Sequence, residues 1–326
     1  MNGTHNDMSD WRGRVDAIDG DAGRRWHQVV RPASSATVPG VALLGFASDA
    51  GVRRNHGSVG AAAGPRALRK YLSNLAWHGG STAALYDAGD VGCKDDDLEA
   101  AQADYARHAA QLLRAGHRVI GLGGGHEIAW ASYQGIAAAL AGDRKLERLG
   151  IVNFDAHFDL RQPEHPGRGS SGTPFLQIAD ARAAAGLGFR YLCLGISETA
   201  NTPSLFSQAA KLGVEHVADV EMGDAAVDSK LRDFIADCDG IYLTFCLDVL
   251  PPAVAPGVGA PAGLGVPLHR AMALVRQLRR DCLHAPGGDK LLLADIAEFS
   301  PCFDAPDART ARTAARLVYE LAAISR

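Results

Sequence analysis

The sequence predicts an α/β protein, a single three-layer α/β/α domain with a mainly parallel sheet. Short apolar runs bounded by Gly or Asp alternate along the chain with longer segments rich in Ala and Leu. The runs, such as GIVNF and IYLTF, are almost continuously apolar, as strands covered on both faces require. No internal repeat or low-complexity linker interrupts the alternation, which therefore predicts one parallel sheet between two layers of helices.

The elements follow in order along the chain. We expect strands over residues 41–46, 118–122, 150–154, 191–195, 241–247 and 291–296. We expect helices over residues 64–77, 97–115, 127–140, 268–280 and 308–323. Pro65 is a first-turn residue, Gly116 ends the second helix, and the acidic run 95–97 serves as its N-cap. Residues 1–40 form a polar N-terminal extension and residues 41–326 form the domain, with one long Gly/Pro-rich stretch at 251–267.

Composition excludes several classes of protein. The chain has 326 residues, 47% of them hydrophobic, with 33 Lys and Arg against 37 Asp and Glu and a formal net charge of −4. That apolar fraction is enough for a substantial core and argues against disorder. The slight acidity argues against a nucleic-acid or anionic-membrane partner.

Cysteine usage and apolar runs indicate the compartment. The six cysteines are scattered, without a CxxC pair, and the polar segment 1–28 lacks the apolar region of a signal peptide. No apolar run approaches the roughly 18 residues of a membrane helix. We therefore expect a cytoplasmic protein with reduced thiols.

Ionisable residues follow four of the predicted strands. GGGHE (123–127) follows the second strand, DAHFD (155–159) the third, and Cys246 and Asp248 end the fifth, while Glu298 follows the sixth. Ligands of open α/β sheets bind outside the carboxyl ends of the strands, so these residues are expected to meet there.

DAHFD is the most informative of these segments. If the extended conformation persists, Asp155, His157 and Asp159 project on one side. Three ionisable residues directly after a buried strand demand either a metal ion or a salt-bridge cluster. A set of mostly oxygen and imidazole donors suits Mn²⁺ or a similar hard cation, and its size exceeds what one four-coordinate zinc needs. The pattern thus predicts two metal ions and the hydrolytic chemistry that a metal pair supports.

At these residues the sequence resembles the arginase, or ureohydrolase, superfamily. The signature segments of that superfamily are a Gly-Gly-x-His turn, an Asp-Ala-His-x-Asp segment, a Ser-x-Asp-x-Asp segment and a late Glu. Further segments resemble one branch, the formimidoylglutamases of histidine degradation. They are SDAGVRRNHGSVGAAAGP (48–65), GGGHEIAW (123–130), NFDAHFDLR (153–161), SSGTPF (170–175), LDVLPPAVAPGV (247–258) and DIAEFSP (295–301).

The resemblance implies an arginase-like metallohydrolase domain over residues 41–326 and a function. It implies a homo-oligomeric enzyme with two Mn²⁺ per subunit, which hydrolyses the small molecule N-formimidoyl-L-glutamate to glutamate and formamide. The alternatives are another ureohydrolase, acting on a guanidino acid or agmatine, and a metal-poor regulatory homologue. The implied metal ligands are His126, Asp155, His157, Asp159 and Asp248. Asp159 would also relay a proton, and Glu298 would contact the amidine-like group of the substrate.

One position departs from the superfamily pattern. Where the Ser-x-Asp-x-Asp segment has its first Asp, a ligand that bridges both metals, this chain has Cys246. A thiolate is softer than a carboxylate and holds Mn²⁺ less well. Cys246 is therefore either a metal ligand, sensitive to oxidation, or an inert buried thiol.

Cationic and amide side chains are the candidates for substrate binding. A substrate with two carboxylates needs such donors beside the metals, and Arg54, Asn55, Arg161 and Asn201 lie in segments that resemble loops of the family. Each of them could equally be an ordinary loop residue. A pocket lined by Arg54 and Arg161 would repel agmatine, which separates the two enzyme hypotheses.

Overall fold

A computed structural model describes residues 8–79 and 84–322 of the chain. Nine strands form one sheet, in which every neighbouring pair is parallel. The strands are β1 Arg31–Pro32, β2 Val41–Ala47, β3 Leu85–Gly92, β4 Arg118–Gly123, β5 Leu149–Phe154, β6 Arg190–Ile196, β7 Glu215–Ala218, β8 Gly240–Cys246 and β9 Leu291–Ala297. Their order across the sheet is β1-β3-β2-β4-β9-β8-β5-β6-β7. The predicted parallel α/β fold is confirmed.

Helices cover both faces of this sheet. They are α1 Trp26–Val29, α2 Ala50–Arg54, α3 Gly64–Ser73, α4 Leu98–Arg114, α5 Ile128–Ala139, α6 Arg144–Glu147, α7 Pro174–Ala184, α8 Pro203–Lys211, α9 Ala226–Ala236, α10 Leu268–Leu283 and α11 Arg309–Ala322. One core lies between the sheet and α3, α9, α10 and α11, and the other between the sheet and α4, α5, α7 and α8. Successive residues of a strand, such as Leu43 and Leu44, enter different cores because side chains alternate between the faces.

All six predicted strands and all five predicted helices are present, with small differences at their ends. The helix expected over 64–77 ends at Ser73, whereas α10 runs on to Leu283. The Asp97 side chain accepts a hydrogen bond from Ala100 N, so the predicted N-cap is confirmed. Among the described residues no helix has the length and apolar character needed to cross a membrane.

The sequence pattern did not predict the strands β1, β3 and β7, the short helices α1, α2 and α6, or the helices α7, α8 and α9 between β5 and β8. Strand β3 was missed because Asp87 and Asp90 interrupt its apolar run. Both carboxylates are paired with the buried Arg69 of α3, whose Nε lies 2.7 Å from Asp87 Oδ2. A buried carboxylate is tolerated when a cation neutralises it, and this partner is distant in sequence.

The two long irregular stretches are tied to the domain. In the N-terminal stretch, Trp11 and Trp26 are buried in the core, and Trp11 Nε1 donates to Asp87 Oδ2. Residues 31–32 add the edge strand β1 to the sheet. In the later stretch, Gly259 and Ala260 line a cavity at the carboxyl edge of the sheet. The division of the chain at residue 40 stays a prediction.

Candidate metal centre

The candidate metal ligands and Glu298 lie at the carboxyl ends of four adjacent strands, β4, β9, β8 and β5. His126 lies in the turn between β4 and α5, and Asp155 directly follows β5. Cys246 is the last residue of β8, and Asp248 lies in the short 3₁₀ turn after it. Glu298 directly follows β9. The parallel arrangement thus places one end of each strand at a common edge, as the strand-end rule predicts.

The donor atoms of these residues form two groups that share Asp155. The first group contains His126, Asp155 and Cys246, and the second contains Asp155, His157 and Asp248; within each, the donor atoms lie within 4.8 Å of one another. Nδ1 of His126 lies 2.9 Å from Asp155 Oδ2, and Nδ1 of His157 lies 3.4 Å from Asp155 Oδ1. The two oxygens of one carboxylate therefore face different imidazoles, which is the arrangement of a bridging ligand.

Asp159 lies beside the first group, and Asp248 contacts His157 within the second. Asp159 Oδ2 lies 3.0 Å from Nδ1 of His126, and Asp248 Oδ2 lies 3.2 Å from Nδ1 of His157. All six residues singled out as metal ligands are thus brought together.

The conformation expected for DAHFD is wrong. Strand β5 ends at Phe154, and the chain bends over residues 155–159 instead of remaining extended. Asp155 Oδ1 accepts a hydrogen bond from His157 N at 2.8 Å, and Asp159 has a positive φ of 49°. This bend, and not a period of two, turns the three side chains towards a common point.

Burial and charge shift the acidities of the cluster. Burial opposes protonation of His126 and His157, but the neighbouring carboxylates outweigh it and raise the pKa of each imidazole well above its usual range. Burial likewise raises the pKa of Asp155, but the two imidazoles reverse this and leave that pKa below its ordinary value. Burial, with the charges of Asp155, Asp248 and Glu298, raises the pKa of the Cys246 thiol. Without a bound metal ion, the imidazoles and carboxylates of the cluster therefore stabilise one another's charged forms.

Three observations fit a pair of divalent cations at this cluster. Within the part of the chain that the structure describes, Nδ1 of His126 and Oδ1 of Asp248 are buried and have no hydrogen bond of normal geometry. Neighbouring donor atoms lie about as far apart as ligands that surround a small hard cation at about 2.1 Å. The carboxylate, imidazole and thiol donors also match the chemistry of a first-row divalent ion.

Glu298 lies beside the cluster but is held differently. Its Oε1 accepts a hydrogen bond from His126 N at 2.8 Å, and its φ is 68°. Burial and the charges of Glu127 and Asp248 raise the pKa of Glu298 to about 8. Among the described residues, no Lys, Arg or His side chain forms an ion pair with Glu298, so a buried carboxylate faces the site without a cationic partner.

A cavity of about 210 Å³ opens onto the cluster and is continuous in its lining with a larger outer cavity of about 610 Å³. Asn55, Arg161 and Leu205 line both. Gly172 lies between the first two, since a Cβ there would come within 2.9 Å of Arg161 Cδ and of Asn55 Oδ1. The SSGTPF segment therefore shapes the passage between the two cavities.

The four substrate candidates differ in how their polar groups are used. Arg54 forms an ion pair with Glu99 at 2.6 Å and also donates to the Gly169 carbonyl. Arg161 forms no ion pair with any carboxylate of the described chain. Asn201 donates to the carbonyls of Ala156 and Ser197 and accepts from Phe158 N. The Asn201 amide therefore holds the loop after β5 in place. Asn201 also lines the cavity of about 210 Å³ that opens onto the cluster.

Two residues at the cluster were not singled out from the sequence. Asn153 Nδ2 donates to Asp155 Oδ2 at 3.0 Å, and Thr244 Oγ1 lies 3.0 Å from Nε2 of His126. Both are polar residues inside otherwise apolar strands. That interruption of the apolar pattern is the signal that could have marked them.

Comparison with known proteins decides the family. The sequence profile described as the arginase family matches residues 39–323. The chain belongs to the arginase family. It is 52% identical over 320 residues to the formimidoylglutamase of Aeromonas hydrophila, covering 97% of each chain. It is also 52% identical over 321 residues to that of Ralstonia nicotianae, covering 97% of this chain and 95% of the relative.

Solved structures share the arginase-family fold. The formimidoylglutamase of Bacillus subtilis aligns with a TM-score of 0.78 at 21% identity, over 92% of this chain and 91% of that one. The formiminoglutamase of Trypanosoma cruzi with Mn²⁺ aligns with a TM-score of 0.76 at 24% identity, over 88% of this chain and 95% of that one. At these identities the likeness concerns the fold.

Proposed function

We propose that this member of the arginase family is a formimidoylglutamase, which hydrolyses N-formimidoyl-L-glutamate to L-glutamate and formamide. The observation that carries the proposal is identity of about one half, over nearly the whole chain, to relatives of that name. The cluster at the carboxyl edge of the sheet supports it. We also propose the place in histidine degradation, the homo-oligomeric state and the cytoplasmic location that the sequence suggested.

The proposed cofactor is a pair of Mn²⁺ ions. His126, Asp159 and Cys246 would hold one ion, His157 and Asp248 the other, and Asp155 both, as the two donor groups suggest. When bound, such a pair supplies the Lewis acidity that makes a hydroxide nucleophile available near neutral pH.

The side chains around the cavity have separate roles in this proposal. Glu298, buried and without a cationic partner among the described residues, pairs with the amidinium end of the substrate and turns its carbon towards the cluster. Asp159 lines the cavity and accepts the proton of the attacking water. It returns that proton to the glutamate nitrogen as the bond from this nitrogen to the amidine carbon breaks. Formamide and glutamate are then the products.

The glutamate part of the substrate would extend into the outer cavity. We propose that Arg161 binds one of its carboxylates, because this guanidinium lines both cavities and lacks an acidic partner among the described residues. Asn55, beside it, would donate through its amide, and Asn201 would hold the wall. Arg54 would contribute less because Glu99 already balances its charge.

Substrate comparison tests the proposal. With Mn²⁺, kcat/KM for N-formimidoyl-L-glutamate should exceed that for agmatine or arginine by about 100-fold or more. Two charged hydrogen bonds at about 1.5 kcal/mol each account for that ratio. Glutamate and urea formation would be measured by chromatography, and equal or faster turnover of agmatine would refute the assignment.

A matched pair of variants tests the role of the outer cavity. Arg161→Gln should raise KM for formimidoylglutamate about tenfold and leave kcat and bound metal nearly unchanged, as expected when one charged contact to the substrate is lost. Arg54→Gln serves as the control and should change KM less. If the order of the two effects is reversed, Arg54 and not Arg161 binds the carboxylate.

A further inference from the structure

The second ring nitrogen of His126 leads away from the metal cluster into the sheet. Nε2 of His126 lies 3.0 Å from Thr244 Oγ1, and both residues are buried. His126 comes from the turn after β4, whereas Thr244 lies within β8. One nitrogen of this imidazole therefore faces the proposed ions, and the other faces a hydroxyl in the sheet.

Thr244 is in turn placed beside a buried carboxylate. Thr244 and Asp295 are register partners on the neighbouring strands β8 and β9. Asp295 is completely buried, and its Oδ2 accepts hydrogen bonds from Ser132 Oγ at 2.6 Å and from Tyr242 OH at 2.7 Å. Burial raises the pKa of Asp295, while hydrogen bonds from Ser132, Thr244 and Tyr242 favour its ionised form.

The neighbouring strand provides room for this carboxylate. Gly121 of β4 is the register partner of Asp295 on the other side, and a Cβ at Gly121 would lie 2.6 Å from Asp295 Cβ. Oδ1 of Asp295 is buried and has no hydrogen bond among the described residues. The side chain of its register partner Thr244 favours the ionised form of this carboxylate, and Thr244 also lies beside Nε2 of His126. Thr244 is therefore the residue that lies between Asp295 and His126.

We propose that Thr244 and Asp295 are positioning residues that fix the tautomer of His126. The Thr244 hydroxyl donates its single proton to Asp295, so its oxygen can only accept from His126, whose proton then lies on Nε2. Nδ1 would then have its lone pair available for an ion that His126 holds together with Asp155, Asp159 and Cys246. Partners of this kind hold a ligating imidazole in orientation and tautomer. The inference rests on the manganese cluster of the proposed function.

Without Asp295, nothing fixes whether the Thr244 hydroxyl donates to His126 or accepts from it. The Thr244 hydroxyl can then donate to Nε2, and the imidazole proton moves to Nδ1, where it occupies the position of a metal ion. Binding of the ion held by His126 should therefore weaken. The ion at His157 and Asp248 should bind as before, because Thr244 and Asp295 do not contact those residues.

Manganese binding to variants of Asp295 and Thr244 tests this inference. Asp295→Leu, which removes both carboxylate oxygens, and Thr244→Val should each weaken the binding of one of the two Mn²⁺ ions by about 10- to 100-fold, the usual effect of losing such a partner. The readouts are calorimetric titration and the paramagnetic resonance spectrum, which should change from a spin-coupled pair to a single ion at limiting Mn²⁺. Thr244→Ser keeps the hydroxyl and should restore both affinity and spectrum.

Ser132→Ala is the matched control. It removes a hydrogen bond to the same carboxylate but leaves Thr244 between Asp295 and His126, so both ions should bind normally. If Ser132→Ala weakens binding of the same ion as strongly as Asp295→Leu, or if Thr244→Val binds both ions with unchanged affinity, the inference is wrong. A wild-type chain that binds two Mn²⁺ without hydrolysing formimidoylglutamate would contradict only the proposed function. One that binds no Mn²⁺ would overturn both.

Discussion

Replacement of Asp155 by Asn is the most direct test of the bridging arrangement. The change keeps the size of the side chain and removes its charge. Oδ2 of Asp155 faces Nδ1 of His126 at 2.9 Å and Nδ2 of Asn153 at 3.0 Å, whereas Oδ1 accepts from His157 N at 2.8 Å. Each carboxylate oxygen therefore has a nitrogen donor in front of it, in addition to any metal ion that Asp155 would hold.

An amide cannot satisfy both sides. In either orientation of the substituted side chain its NH₂ group faces a nitrogen donor, and one buried hydrogen bond is lost, at a cost of about 1–3 kcal/mol in the free energy of unfolding. The consequence for metal is larger. Loss of a partner one step removed from a metal weakens binding by about 10- to 100-fold, so loss of the shared ligand should exceed about 100-fold, or about 2.8 kcal/mol, at each site.

The assay is a Mn²⁺ titration of wild type and Asp155→Asn, with turnover measured on the same samples. The variant should bind both ions more weakly, whereas substitution of Thr244 should affect only one. At the Mn²⁺ concentration that saturates wild type, the activity of the variant should be nearly absent. Asp180→Asn, at an exposed carboxylate of α7, is the control and should behave like wild type. Near-normal turnover with both ions bound in Asp155→Asn would refute the shared-ligand reasoning.

Two further substitutions separate substrate contact from metal binding. Glu298→Gln should keep both ions, because the amide oxygen can still accept from His126 N, but should lower kcat by about 10²- to 10³-fold through loss of charge beside the amidinium. Loss of metal in this variant would make Glu298 a ligand instead. Cys246→Asp should tighten Mn²⁺ binding and reduce sensitivity of activity to mild peroxide, because it supplies a hard oxygen donor in place of an oxidisable thiol. Identical Mn²⁺ titrations and identical peroxide resistance in the two proteins would show that Cys246 only fills space.

The strands that could be predicted are those whose own residues carry the signal. Runs such as residues 150–154 are apolar because both faces of the strand are covered, and this is visible locally. Strand β3 is also mostly buried, but it contains Asp87 and Asp90, which are compatible with a core because Arg69 of α3 pairs with both. A compensating partner in another element leaves no mark within the strand itself.

For the candidate site, the sequence likewise identifies the segments that contribute side chains but not the contacts that those side chains make. The rule that ligands bind at strand ends selects, without knowledge of strand order, the segments that the structure brings together. The contact between His126 and Thr244 depends on that order, since β4 and β8 are separated by β9 in the sheet and the two residues by 118 positions in the chain. The bend at 155–159 could not be predicted either, because it depends on the hydrogen bond from His157 N to the Asp155 carboxylate.

The two arginines proposed for substrate binding differ in charge pairing, which the sequence does not show. In the sequence, Arg54 and Arg161 are equivalent cations in loops near the site. In the fold, Glu99, 45 residues from Arg54, pairs with that guanidinium and balances its charge. Arg161 lines both cavities and has no acidic partner among residues 8–79 and 84–322. What a cation offers an anionic substrate is the charge left after its neighbours are counted. The proposed preference for a dicarboxylate over agmatine therefore depends on the pairing of Arg54 as much as on the presence of Arg161.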